Sequence, residues 1–98
     1  MSAMLYALEQ KKNYIEESIK INARNIAHAD IEGVTRYDMK PFEYFMKKPQ
    51  VPFFVTQNPI RRDFEMMSVA KNAIEHDTLI QIIKANLRLY KIASSKNV

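Results

Sequence analysis

The residues able to do acid–base or metal chemistry in this chain are few and badly placed for it. His28 and His76 are its two histidines, they stand far apart, and there is no cysteine. A zinc finger, a disulfide framework and a thiol nucleophile are therefore excluded. Glu75-His76-Asp77 sets carboxylates beside an imidazole, but residues one apart on a helix point to different faces and cannot close on one ion. His76 falls on an apolar helical seam, which suits a histidine satisfied by packing or by a partner. Glu16-Glu17 reads as a solvated helix face. The six methionines, Met1, Met4, Met39, Met46, Met66 and Met67, are scattered as gap-fillers rather than grouped as soft-metal ligands. No catalytic residue, metal site or cofactor is expected, and the chain does not read as an enzyme.

What the residues do specify is helices. The first third, residues 1–30, carries Met1, Leu5, Leu8, Lys12, Ile15, Ile19, Asn22, Ile26 and Ala29 at alternating spacings of four and three. This is a heptad seam, with charged Glu9, Lys11, Glu16, Glu17, Lys20 and Arg24 between its positions. Lys12 can lay its stem along the seam and lift its charge to water. Asn22 either fixes register as a buried seam amide or faces a wet gap. The last third, 59–95, repeats the pattern with Met66, Val69, Ala73, His76, Ile80, Ile83, Leu87 and Tyr90. A neighbouring row of Leu79, Ile82, Leu89 and Ala93 widens its apolar arc beyond what one partner helix covers. Asn58-Pro59 and Asp63 are both candidates for its start. Acidic Asp63 and Glu65 near that start and basic Arg88, Lys91 and Lys96 near the end suit the helix dipole.

Between them, 31–58 is broken by Pro41, Pro49, Pro52 and Pro59 and reads as an irregular segment, although QVPFFVTQ holds strand-forming residues. The expected architecture is all-α: one domain over 1–98 in which two long terminal helices pair as an antiparallel hairpin or coiled coil. At 98 residues and 11.5 kDa there is room for one domain. One glycine in the chain argues against a turn-rich sandwich or barrel. An isolated helical hairpin of this size is marginal, so assembly with other subunits is the natural way to complete it. The seam residues expected at that interface are Leu5, Leu8, Ile15, Ile19, Asn22 and Ile26 on one helix, and Val69, Ile80, Ile83, Leu87 and Tyr90 on the other. No apolar run approaches a membrane span and no cleaved signal is visible, so no membrane insertion is expected.

The net charge of +4 needs placing before it is read as recognition. Residues 1–30 hold four basic and four acidic groups, 31–62 six and three, and 63–98 five and four. The excess in the middle is spread over Arg36, Lys40, Lys47, Lys48, Arg61 and Arg62 instead of one helix face, which disfavours a specific nucleic-acid partner.

The sharpest local signal lies where the first helix ends, in NARNIAHADIEGVTRYD. Small Ala23, Ala27 and Ala29 permit close backbone approach, Asn22, Asn25 and Asp30 can bond backbone groups, and Gly33 can take the left-handed turn. The joint pattern Asn25-Ile26-Ala27-x-Ala29-Asp30-x-x-Gly33 resembles the N-terminal signature of the bacterial flagellar rod, hook and hook-associated family. Residues 58–93, with Asp63, Glu65, Met66 and Met67 at the helix start, resemble the C-terminal helix of its proximal-rod branch, of the FlgB type rather than the FlgC type. The resemblance covers both ends of the chain, about seventy residues.

The resemblance implies a structural subunit of the flagellar basal body, in the periplasmic rod that transmits torque. It implies export by the flagellar type III apparatus without a cleaved signal, and self-association in a helical assembly. The implied partners are the other proximal rod proteins and the adaptor at the junction of membrane ring and export gate. Two other classes compete with it: a small basic helical nucleic-acid-binding protein, and a helical-hairpin adaptor or secretion chaperone.

Overall fold

A computed structural model describes residues 2–96. Met1, the first expected seam position, lies outside them, and so does the side chain of Lys96. The element order is α1 (Ala3–Ala27), β1 (Thr35–Met39), α2 (Phe42–Lys47), β2 (Phe53–Pro59) and α3 (Arg62–Lys96). Helix dominates, but the middle of the chain is not irregular and the fold is not strictly all-α, because β1 and β2 form a two-stranded antiparallel sheet.

α1 begins at Ser2, whose backbone is extended and whose Oγ accepts the Leu5 N–H at 3.0 Å. This satisfies one of the donors that a helix start leaves free. At its other end His28 closes the helix: its N–H donates to the Arg24 and Asn25 carbonyls, and its Nδ1 lies 2.8 Å from the Arg24 carbonyl oxygen. Two further turns follow, Ile31 N–H to His28 O and Val34 N–H to Ile31 O. Gly33 then takes φ 82°, a left-handed conformation that a side chain would resist.

The sheet explains where the prolines stand. Pro41 opens α2, its carbonyl accepting the Tyr44 and Phe45 N–H groups. Pro52 precedes β2, and its carbonyl accepts the Lys40 N–H at 2.8 Å. Pro59 is the last residue of β2, opposite Thr35. Each sits at the boundary of an element, where the missing donor breaks no ladder bond. The register pairs Tyr37 with Val55, Asp38 with Phe54 and Met39 with Phe53, and it slips between Thr35 and Tyr37. The start of α3 therefore falls at Arg62, past the Asn58-Pro59 candidate. Asp63 lies in the first turn, its carboxylate 3.3 Å from Arg61.

α1 and α3 run side by side in opposite directions: Asn22 meets Glu65 and Asn72, and Glu16 meets His76. Their shared core is small, with Leu5, Ile15 and Ile21 of α1 and Ile83 of α3 buried. Tyr14 ties α2 to the middle of α1. Its hydroxyl donates to the Lys40 carbonyl at 2.6 Å, and its ring meets Phe42 and the buried Phe45 edge-on, each at 5.3 Å. Burial, reinforced by the charges of Asp38 and Glu43, raises the Tyr14 pKa above its ordinary value. The Cα trace measures 63 × 26 × 14 Å, a slab one helix thick.

Candidate assembly interface

The end of α1 singled out by the sequence is where three elements are fastened together. Asn25 is fully buried. Its Nδ2 donates to the Tyr37 carbonyl and its Oδ1 accepts the Tyr37 N–H, both at 2.9 Å. One side-chain amide thus bonds β1 as a neighbouring strand would. Arg24 adds a bond from its guanidinium to the Thr35 carbonyl at 2.9 Å and lies 3.5 Å over the Tyr37 ring. On the far side, the Tyr37 ring stacks on Phe53 at 5.0 Å. Thr56 holds the other strand by donating to the Arg36 carbonyl at 2.7 Å.

Three residues earlier, on the seam, Asn22 is also buried. Its Nδ2 donates to Glu65 Oε2 at 2.7 Å, and its Oδ1 accepts from Asn72 Nδ2 at 3.1 Å. The second Glu65 oxygen takes the Arg36 Nε–H at 2.8 Å, and Arg36 reaches Asp38 at 3.2 Å. Glu65 is 0% exposed, and the cost of burying its carboxyl group is offset because both of its oxygens are bonded and a guanidinium is beside it. Burial works against the Arg36 charge, but the hydrogen bond and charge of Glu65, aided by Asp38, outweigh it and raise the Arg36 pKa. Among the described residues no buried side-chain nitrogen or oxygen lacks a partner. The arrangement is a polar joint whose buried side-chain groups are all bonded. The cleft beside it, about 310 Å³ between α1, β1 and α3, is lined by Ser18, Asn22, Arg36, Lys71 and Asn72 among others. Arg36 and Asn22 take part in both the cleft and the joint.

The remaining motif residues surround this joint. Ile26 and Ala29 are half-buried and Ala27 is exposed. Asp30 is exposed and pairs with Arg62 at 2.6 Å, linking the end of α1 to the start of α3. Of the seam residues, Leu5, Ile15 and Ile83 are buried and Leu8, Ile19, Val69 and Ile80 half-buried, whereas Leu87 and Tyr90 lie exposed. Lys12 meets Glu16 at 3.2 Å and His76 meets it at 3.5 Å. Burial of Glu16 is outweighed by these two neighbours, and its pKa is lowered. His28 caps its own helix. Among the described residues no group of three or more His, Cys, Asp or Glu is placed to hold a metal ion.

Sequence reasoning missed Glu65, Arg36, Asn72, Tyr14 and Tyr37. A signal existed for the first: Glu65 stands four residues before Val69, on the same seam, and Asn22 was the polar position waiting for it. None existed for Arg36, which reaches the joint only because β1 carries it there.

The basic residues of the middle are largely engaged. Arg36 pairs with Glu65 and Asp38, Arg61 with Asp63, Arg62 with Asp30, and Lys40 lies over the Tyr44 ring at 4.3 Å. Exposed apolar groups are more conspicuous: Met66, Met67, Ile74, Ile82, Leu87, Leu89, Tyr90 and Ile92 all project from α3. No helix among the described residues is long and apolar enough to cross a membrane. No family model matches the chain, and no curated protein is significantly similar to it.

Proposed function

We propose that the chain is a structural subunit of the bacterial flagellar basal body, a FlgB-type component of the proximal rod. In this reading α1 and α3 are the coiled-coil pair of a rod subunit, and torque passes through packed helices rather than through any chemistry of the chain. The subunit leaves the cell interior through the flagellar type III apparatus, stands in the periplasmic rod, and meets further copies, other proximal rod proteins and the adaptor at the junction of membrane ring and export gate.

The observation that carries the reading is the surface of α3. At 35 residues against 25 for α1, it outruns its intramolecular partner and exposes apolar side chains along its length. Exposed apolar side chains in this number suit a subunit of an assembly, where a neighbour covers them. The Asn25-to-Gly33 motif supports it from the other end, since its residues hold the middle hairpin against the helix pair and so fix the shape a subunit presents. Deleting the gene should abolish filaments and swimming, and the protein should co-purify with basal bodies. Normal swimming in the deletion, or basal bodies that lack the protein, would overturn the proposal.

A further inference from the structure

The far end of α3 differs from the rest of the chain in charge. From Thr78 to Lys96 the sequence holds Lys84, Arg88, Lys91 and Lys96 and no carboxylate. Lys84, Arg88 and Lys91 are exposed, and none forms an ion pair among the described residues. Glu9, the only carboxylate of α1 before Glu16, is half-buried and pairs with none of them. At 100° per residue the three cations fall within an arc of about 60°. They form a row beside the stripe Ile83, Leu87 and Tyr90, and with Leu87 they line a groove of about 450 Å³.

That stripe continues the track on which α1 lies. Ile83 is buried, whereas Leu87 and Tyr90 on the same side are 48% and 50% exposed. The cause is the length of α1. The contacts of Asn22 with Glu65 and Asn72, and of Glu16 with His76, set Ala3, its first residue, near Leu87. Beyond that point α3 runs on alone for about two turns.

Geometry and charge together choose the occupant. α1 stands about 10 Å proud of this side of α3. That step holds a flat bilayer off the stripe, whereas a helix in line with α1 can drop onto it. The cations repeat at the helical period, so the matching anions are carboxylates at the same spacing along one flank of a partner helix, beside an apolar stripe that covers Leu87. No helix of this chain presents such a row. In α1, Lys12 interrupts Glu9 and Glu16 and is bonded to Glu16. In α3, Glu65 is buried, and Glu75 and Asp77 lie on opposite sides of the helix. The partner is therefore not a second copy.

We infer that the basic end of α3 is a docking surface for an acidic amphipathic helix of another protein. The apolar face of that helix covers Leu87 and Tyr90, and its carboxylates run along Lys84, Arg88 and Lys91. The inference rests on the reading of α3 as an assembly surface but not on which assembly it serves.

The probe is a designed helical peptide of about 21 residues, with leucine on one stripe and glutamate along one flank, and a twin with lysine for glutamate. By fluorescence anisotropy the full chain should bind the glutamate peptide with Kd of about 10 μM at low salt, and at least about tenfold more weakly in 0.5 M salt. The lysine twin should not bind. A protein carrying Lys84→Glu, Arg88→Glu and Lys91→Glu together should lose the glutamate peptide by about tenfold or more and gain the lysine twin. Leu87→Ser should weaken binding about fivefold and leave its salt dependence unchanged. All four side chains are exposed, so the circular dichroism of both variants should match that of the parent. Failure to bind the glutamate peptide, equal binding of the two peptides, or a triple reversal without effect each overturns the inference. Binding of phosphatidylserine vesicles in place of the peptide overturns it in favour of a lipid surface. If the peptide fails while deletion of the gene still abolishes swimming, this inference alone falls; normal swimming with peptide binding intact removes the basal-body reading alone.

Discussion

The two ends of the α1–α3 pair are held by opposite means. At one end Asn22, Asn25, Glu65 and Arg36 form a buried polar joint in which every group is bonded. At the other, Leu5 and Ile83 are buried while Leu87 and Tyr90, a turn or two further along α3, are open to solvent. Hydrogen bonds are directional, so the first end fixes one register and one hairpin position. Apolar contact is non-directional, so the second end can be completed by any surface of matching shape. The chain is thus specified at the end where it folds on itself and permissive at the end where it outruns its own partner.

Substitutions at the polar end should have the largest effects. Glu65→Leu leaves the half-buried Arg36 guanidinium and the buried Asn22 amide without their partner and should cost about 3 kcal/mol in urea unfolding, enough to unfold a domain of marginal stability. Asn25→Ala strips both partners from Tyr37 and should cost about 2 kcal/mol or more, with loss of hydrogen-exchange protection at the Tyr37 amide. At the far end Ile83→Ala removes buried methyl groups and should cost about 2 kcal/mol, at the low edge of the usual range because the site is shallow. Tyr90→Ala should stay within about 0.5 kcal/mol, since nothing in the chain covers it. A Tyr90→Ala loss that rivals Asn25→Ala would erase the contrast between the ends.

Another small effect concerns pH. The folded-state pKa of Glu16 is lowered, so its stabilisation is fully present above its unfolded pKa, near 4.5, and is lost as pH falls through the folded value. Solvent screening should keep it below about 1 kcal/mol. Glu16→Gln should flatten that part of the acid limb in a thermal melt, and an unchanged limb would show that the Lys12 and His76 contacts carry no weight.

The two long helices were legible because a period of 3.6 persists over many turns, and the turn at Gly33 because only glycine takes that conformation cheaply. The hairpin was not. Thr35-Arg-Tyr-Asp-Met does alternate, with Thr35, Tyr37 and Met39 set against the charged Arg36 and Asp38, but five half-buried residues are too short a run to stand out between the prolines. Its stability comes from Asn25 and Arg24, which are distant in character from any strand signal. Pro41, Pro52 and Pro59 looked like interruptions of the segment but stand at the ends of its elements, and Pro49 lies in the turn between α2 and β2. Glu65 was read as a dipole-complementing charge near a helix start, whereas burial and Arg36 make it the centre of the joint. A local rule captured its sign and missed its partner, because that partner comes from another element.

The amide of Asn25 has one more consequence. By occupying both backbone groups of Tyr37, it stands where a third strand would begin and blunts the outer margin of β1. Arg24, bonded to the Thr35 carbonyl, extends that cover by one more group. Edge-to-edge stacking through β1 is thereby hindered, a safeguard against fibrous aggregation supplied by two side chains of α1.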